Sequence, residues 1–371
     1  MPNLVGIGNS QVPTNAMLGG LAYQNSSVLD QVRSGRKNMI INGDMRICQR
    51  FPVNSANNIN NSTHTYHVDR FKAYESTNGI LQGEWENDNY SDAGFQYSVK
   101  YTPATADTSL SNGQFAFISQ VIEMENMRHL AYGLSYAKTC TLSFYVKSNL
   151  AGTYCIQLIN DGTNNRQFVA DYKINNTNTW ERKTITIPGD TSGTWNSNGL
   201  RIAWALAVSS DRQTSTVGSW FGDGTARYGT NNQVNLMSNT SYTFNLTGVQ
   251  FEIGESATDF EHRNYGEELA LCQRYYEGIK MGTGTALFRT YTNTAGSPTN
   301  VSNVEYNFKV EKRAEPTWSV EGNAVWQPSN SASGMSAYPS KSTCIFQRND
   351  TSHQYLTDAN GDLCGSFSAE L

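Results

Sequence analysis

Residues 260–276, FEHRNYGEELALCQRYY, gather glutamates, a histidine, an arginine and a cysteine into one short stretch. A cysteine nucleophile needs a base within hydrogen-bonding reach, a third group to orient that base, and an oxyanion site. Glu261, His262 and Cys272 supply the types. Their spacing does not favour the chemistry. Glu267 and Glu268 suit the positive end of a short helix and Arg274 its last turn. On that helix Leu269, Cys272 and Tyr276 share an i, i+3, i+7 stripe and turn the thiol inward. The stretch therefore reads as a charged elbow in which Glu261 or Glu267 pairs with Arg263 while the helix seals a domain. No catalytic residue is assigned.

Other polar sets give weaker signals. HTYHVD (64–69) holds His64, His67 and Asp69, which suit a transition metal, but strand alternation sends the two imidazoles to opposite faces. Glu123 and Glu125, at i and i+2 on an expected strand, could serve glycoside cleavage. They have no companion signal, and solvated faces carry such pairs. No metal site is assigned. The oxygen-rich loops ENDNYSD (86–92) and NDGTNN (160–165) could hold structural calcium, but Asn/Asp loops also turn without an ion.

Aromatic residues in loop-like surroundings offer a different chemistry. Sugar rings stack on aromatic faces while neighbouring Asn, Asp and Gln bond their hydroxyls. Trp195, Trp220, Phe221, Tyr228 and Trp326 fit, and GSWFGDGTARYG (218–229) concentrates them. The competing reading has these rings plugging the ends of a β-sandwich or meeting a neighbouring subunit.

The elements that position these residues are strands. The 371 residues include 39 Asn and 31 Gly, with charged residues at only 16% and aromatics at 11%. Asn and Gly supply tight turns, and the aromatics supply surface to bury. TCTLSFYVK (139–147) alternates with Cys140, Leu142, Phe144 and Val146 on one face. LRIAWALAV (200–208) places Leu200, Ile202, Trp204, Leu206 and Val208 inward, and its alanine face leaves room for close packing. In YTFNLTGVQFEI (242–253) the inward phase switches between Leu246 and Val249, which predicts a β-bulge at Gly248 that keeps Val249, Phe251 and Ile253 inward. Eight or nine strands are expected between 38 and 262. The predicted class is all-β: a two-sheet antiparallel jelly-roll sandwich, then a short helix and a smaller C-terminal β-domain. The expected divisions are a leader at 1–37 (with a short helix near 26–33), the sandwich at 38–262, the elbow at 263–280 and the C-terminal domain at 281–371.

The net charge is −5, and basic residues cluster only in RSGRK (33–37) and EKR (311–313), so a nucleic-acid partner is not expected. No apolar run is long enough for a membrane span, and the start lacks the pattern of a signal peptide. The six cysteines form no CxxC pair, which removes zinc-ribbon and thioredoxin readings; free thiols made in a reducing cytoplasm are expected.

NMIINGDMRICQRF (38–51), YHVDRFKAY (66–74), TLSFYVKSNLAGTY (141–154), NTWERKTITIPGDTSGTW (178–195) and VQFEIGESATDFEHRNYGEELALCQRYYE (249–277) occur in that order. Together they resemble the carbohydrate-binding-module-like jelly-roll domain of bacteriophage tail-fibre and related virion structural proteins. MPNLVGIGNSQVPTNAMLGGLAYQ resembles the start of structural proteins in phages of marine cyanobacteria. The resemblance covers residues 1–25 and 38–280. It implies a non-enzymatic virion component, a homotrimeric tail fibre or receptor adhesin that is attached through residues 1–37 and contacts host-surface polysaccharide. Trimerisation would bring the elbow residues Leu269, Cys272 and Tyr276 around one axis. The alternatives are a head-decoration or head-fibre protein and, from another class, a glycan-degrading enzyme or a stand-alone carbohydrate-binding module.

Overall fold

The structure, a computed structural model, describes residues 36–280 except 60–62, 89–90, 164 and 197. Beyond these it describes 286–289, 302–321, 325–327, 336–348, 355–357 and 363–371. The leader through residue 35, with its expected helix, lies outside the described residues. Asn38–Leu371 gathers into one compact unit.

The first part of that unit holds β1 (Asn57–Asn58), β2 (Thr65–Val68), β3 (Phe71–Glu75), β4 (Ile80–Asn87), β5 (Tyr97–Thr105) and β6 (Phe115–Glu123). Then come β7 (Cys140–Ser148), β8 (Gly152–Asp161), β9 (Gln167–Ile174), β10 (Glu181–Ile187), β11 (Gly199–Val208), β12 (Trp220–Phe221) and β13 (Phe244–Ile253). They form two sheets, ordered β1-β4-β5-β13-β7-β10 and β12-β9-β8-β11-β6-β3-β2. Every pairing between these strands is antiparallel. This is the expected jelly-roll sandwich, with more strands than the eight or nine read from sequence. β1 and β12 span two residues each, too short for alternation to show.

The alternation elsewhere holds. Cys140, Leu142, Phe144 and Val146 are fully enclosed between the sheets, with Leu200, Ile202, Trp204 and Leu206 in the same core. β11 corrects the reading at one position. Its register shifts between Ala205 and Ala207, so Ala207 joins the core while Val208 turns to the outer face. The alanine face is covered as expected: Ala203 and Ala205 pack with Phe117, Cys155 and Tyr228. The bulge in β13 is present. Its pairing with β7 slips between Thr247 and Gln250, and Gly248 sits at φ +59°. Val249 and Phe251 are buried beyond it, but Ile253, the last residue of the strand, is 42% exposed although it still pairs with Cys140.

After the elbow helix, Tyr265–Gln273, the chain continues through β14 (Tyr276–Lys280), β15 (Ala286–Arg289), β16 (Ser302–Asn307), β17 (Thr317–Val320) and β18 (Val325–Gln327). β19 (Ser336–Pro339), β20 (Thr343–Arg348), β21 (Tyr355–Thr357) and β22 (Leu363–Ser368) follow. They make three three-stranded sheets, β14-β22-β17, β15-β21-β18 and β16-β20-β19. A small core of Ile279, Cys344, Phe346 and Phe367 sits among Trp318, Tyr306 and Phe308.

This lobe is fastened to the sandwich by arginines. Arg50 bonds Asp69 at 2.9 Å and Glu370 at 3.0 Å, and its guanidinium lies 3.5 Å from the Tyr276 ring centre. Arg70 pairs with the same Glu370 and covers the Tyr275 ring at 3.4 Å. Buried charges of this kind hold a fixed geometry because removing either partner strands the other.

Candidate functional site

The elbow is built from internal partners. Asn264 caps the helix by accepting from the Gly266 amide at 3.1 Å. Arg263 donates to the Ile40 carbonyl at 2.9 Å and to the Asn38 carbonyl, and pairs with Glu268 at 3.2 Å. Glu268 also accepts from the Asn42 amide at 2.5 Å. Glu261 accepts from the Asn38 amide at 2.7 Å and stands 3.6 Å from Arg263. Thus Arg263 pairs with Glu261 as expected, while its closer buried partner is Glu268 rather than Glu267. Burial raises the Glu268 carboxyl above its ordinary range, and the Arg263 guanidinium draws it back down.

His262 and Cys272 do not meet. Cys272 is 0% exposed, packed with Ile41, Ile47 and Tyr275, and burial pushes its thiol well above the ordinary range. His262 is exposed and lies against Phe95 and Phe260 on another side. The expected stripe also changes. Cys272 and Leu269 share one cluster inside the protomer, and the helix ends at Gln273, so Tyr276 opens β14 instead. A fully enclosed Cys272 cannot line a subunit interface.

The other polar sets separate too. His67 is enclosed, its Nε2 3.0 Å from the Asn57 carbonyl and its ring edge-on to Tyr101. His64 is exposed beside Tyr74. Asp69 accepts from Arg50 and Gln49. Among the described residues no group of three or more His, Cys, Asp or Glu could hold a metal ion. In the first calcium-type loop, Asp88 is taken by Lys147 at 3.1 Å and the Trp180 indole at 2.8 Å; residues 89–90 lie outside the described residues. In the second, Asp161 pairs with Arg201 at 3.3 Å; residue 164 lies outside them. β6 ends at Glu123, which pairs with Arg274, whereas Glu125 stands on a helical turn, Met124–Met127, paired with Arg128. The strand-face carboxylate pair is therefore not formed.

The aromatic residues divide into two places. Tyr228 is buried, stacked on Phe115 at 4.3 Å and on Phe117 at 5.1 Å over the outer face of the seven-stranded sheet, and Phe221 packs at the edge of that cluster. These rings cover sheet rather than present a surface. Trp195 and Trp220 meet elsewhere, at one end of the sandwich, edge to face at 5.5 Å, with Tyr132 edge-on to both at 5.1 and 5.6 Å. Trp326 lies in β18, and its side chain is outside the described residues.

The Trp195 corner is held from behind. Asp190 is nearly enclosed and takes the Trp195 indole N–H at 3.0 Å while Arg166 clamps it with two bonds of 2.8 and 2.6 Å. The Trp220 indole donates to the Pro188 carbonyl at 2.6 Å, and its ring packs on Phe168. Two glycines let the loops interlock: a Cβ on Gly193 (φ +77°) would lie 2.6 Å from Arg166, and one on Gly133 (φ +88°) 2.8 Å from the Gly193 carbonyl. Between these loops opens a cavity of about 350 Å³ lined by Arg128, Tyr132, Leu134, Thr194 and Trp195. Leu134 is 47% exposed at its mouth. Sequence reasoning found both tryptophans here and missed Tyr132, Asp190 and Arg166. Asp190 could have been read from PGDTSGTW, where an Asp precedes turn residues and a Trp.

No family model and no curated protein sequence matches the chain. Among solved structures it is similar to a putative sugar binding protein from Bacteroides thetaiotaomicron (13% identity, 59% of this chain and 100% of that one, TM-score 0.33). It is also similar to the family 11 carbohydrate-binding module from Clostridium thermocellum (13% identity, 56% and 98%, TM-score 0.28). A third likeness is the enzymatically active domain of bacteriophage CBA120 tailspike protein 4 (13% identity, TM-score 0.29), where the match covers 50% of this chain but 19% of the tailspike chain. At these identities and scores the likenesses carry no functional argument, which has to stand on the residues.

Proposed function

We propose that the chain is a non-enzymatic structural module that contacts polysaccharide through the Trp195 corner, carried on a bacteriophage tail fibre as a homotrimer. The observation that supports it most is the cavity beside Trp195: an aromatic wall whose indole is fixed by Asp190, next to an arginine and turn backbone. A prepositioned ring surrounded by hydrogen-bonding groups suits a sugar, since little side-chain freedom is lost on binding. The non-enzymatic part is supported by the elbow, where Cys272, the thiol ten residues from His262, is sealed into a core. The trimer, the tail location and attachment through residues 1–37 follow from the sequence resemblance. In this reading the trimer contacts fall on surfaces other than the buried elbow stripe.

Affinity electrophoresis through gels containing host-surface polysaccharide tests the binding. The native chain should be retarded, and Trp195→Ala should migrate as in a plain gel with its circular dichroism unchanged. Equal migration of both proteins in every gel would remove the reading. Release of reducing ends on incubation with that polysaccharide would replace it with a degrading enzyme. A stable monomer by light scattering at micromolar concentration would remove the trimer, and labelled virions stained on the head would move the chain to a head fibre.

A further inference from the structure

A second cavity, of about 440 Å³, opens between the first turn of the sandwich and the start of the elbow helix. Its size falls within the roughly 300–1,000 Å³ of small-molecule sites. We propose that it binds one neutral pyranose ring, stacked on the Trp85–Tyr97 wall and held through two adjacent hydroxyls by Asp44 and Arg46. This rests on the reading of the chain as a glycan-binding module, but uses none of the residues of the Trp195 corner.

The wall is rigid. Trp85 and Tyr97 stack at 4.9 Å with their planes 27° apart, at the margin of the core, and the Trp85 indole donates to the Met45 carbonyl at 2.7 Å. Tyr265, 56% exposed, stands at the rim with His262. Phe95 closes one side. The polar pair is incomplete. Asp44 is only 9% exposed, yet its Oδ1 has no hydrogen-bond partner. Its Oδ2 lies 3.1 Å from Arg46 Nε, an ion pair without hydrogen-bond alignment, so that Nε–H also lacks a partner. Leaving a buried carboxylate oxygen and a guanidinium N–H both unmatched costs stability. Asp44 and Arg46 both line the cavity, so one hydroxyl of a vicinal diol can donate to the carboxylate while its neighbour accepts from the guanidinium.

The charges select against other ligands. A quaternary ammonium would suit the rings but not Arg46, and an anion would be repelled by Asp44. Burial raises the Asp44 carboxyl above its ordinary range, with the Arg46 charge, the backbone amides of Asp44 and Arg46, and His262 drawing it down. A smaller groove of about 210 Å³ continues past Phe95 and His262 along Ser143, Tyr145 and Arg182, which gives room for a further sugar unit. The bulge shapes that groove: a Cβ on Gly248 would lie 2.6 Å from Phe95 and 2.8 Å from Tyr145.

Saturation-transfer NMR on the full chain, with methyl glycosides of glucose, galactose, mannose and N-acetylglucosamine as probes, tests this. At least one probe should show transfer in both the native chain and Trp195→Ala. Asp44→Asn, which keeps the shape of the side chain, and Tyr265→Ala, which alters an exposed ring, should each weaken it tenfold or more. If Trp195→Ala removes all transfer, the second site is wrong while the glycan reading stands. If transfer survives both Asp44→Asn and Tyr265→Ala, the site is likewise wrong. Transfer from no probe overturns the second site, with native retardation in the polysaccharide gels deciding whether the wider reading survives. Competition by tetramethylammonium would reassign the cavity to cations.

Discussion

At the elbow, Arg263, Glu268 and Glu261 direct their polar atoms into the backbone of residues 38–42 and into one another. At the Trp195 corner the supporting atoms are just as fully used, with Asp190 held by Arg166 and by the indole, but the ring they support borders open volume. Both regions looked functional by residue type. The Arg263–Glu268 cluster spends its polar atoms internally, whereas the Trp195 ring keeps a surface for a partner after its supporting bonds are made. Reactive side chains become structural when the fold satisfies them, and a binding surface is what remains once the supporting bonds are complete.

The largest effect is expected where the elbow is broken. Arg263→Ala would leave Glu268 buried without its cation, together with unpaired carbonyls at Asn38 and Ile40. A loss of about 3–5 kcal/mol in chemical denaturation is expected. If instead stability holds and polysaccharide retardation disappears, the elbow is the binding region and the contrast is reversed.

Acid titration separates the elbow from the sandwich core by sign. His67 lies between the sheets, and burial lowers its pKa from 6.5 to about 4. The unfolded chain therefore binds its proton first, and stability should fall as pH drops from 6.5 towards 4, by roughly 3 kcal/mol. Glu268 runs the other way. Its raised carboxyl binds a proton more readily in the folded chain, so its contribution is lost as pH rises through and above the ordinary value of 4.5. Urea midpoints across this range should decline towards acid in the native chain, and His67→Gln should flatten that decline. An unchanged slope in the variant would show that another group governs it.

Smaller effects are expected at the aromatic corner. Trp195→Ala should reduce polysaccharide affinity at least tenfold, about 1.4 kcal/mol, at a lower cost in stability than Arg263→Ala. Tyr228→Phe, within the covered stack, should leave affinity untouched. The smallest effect belongs to Glu125→Gln on its exposed turn, for which no change in retardation or melting temperature is expected. A loss of binding there would return the carboxylates of residues 123–125 to consideration.

The fold was legible wherever alternation ran for seven or more residues. Cys140 to Val146 and Leu200 to Leu206 needed only the two-residue period of a strand, and the phase break around Gly248 marked the bulge. The short pairings of β1 and β12 were not legible, because two residues carry no period. The site was legible in part. Trp195 and Trp220 were named for their loop-like surroundings, and they meet. Tyr228 was named on the same grounds and is buried, since composition cannot say which loop folds back over a sheet.

By itself the sequence determined an all-β sandwich, an inward-facing Cys272 and a short helix after the last sandwich strand, because these depend on periods and neighbours along the chain. The tertiary structure alone decided that Asp44, Arg46, Trp85 and Tyr97 share one cavity, and that Glu268 rather than Glu267 receives Arg263. The first four lie on separate turns and strands and meet through sheet pairing, while the helix phase turns Glu268, not Glu267, onto the buried face. No local propensity records such distances.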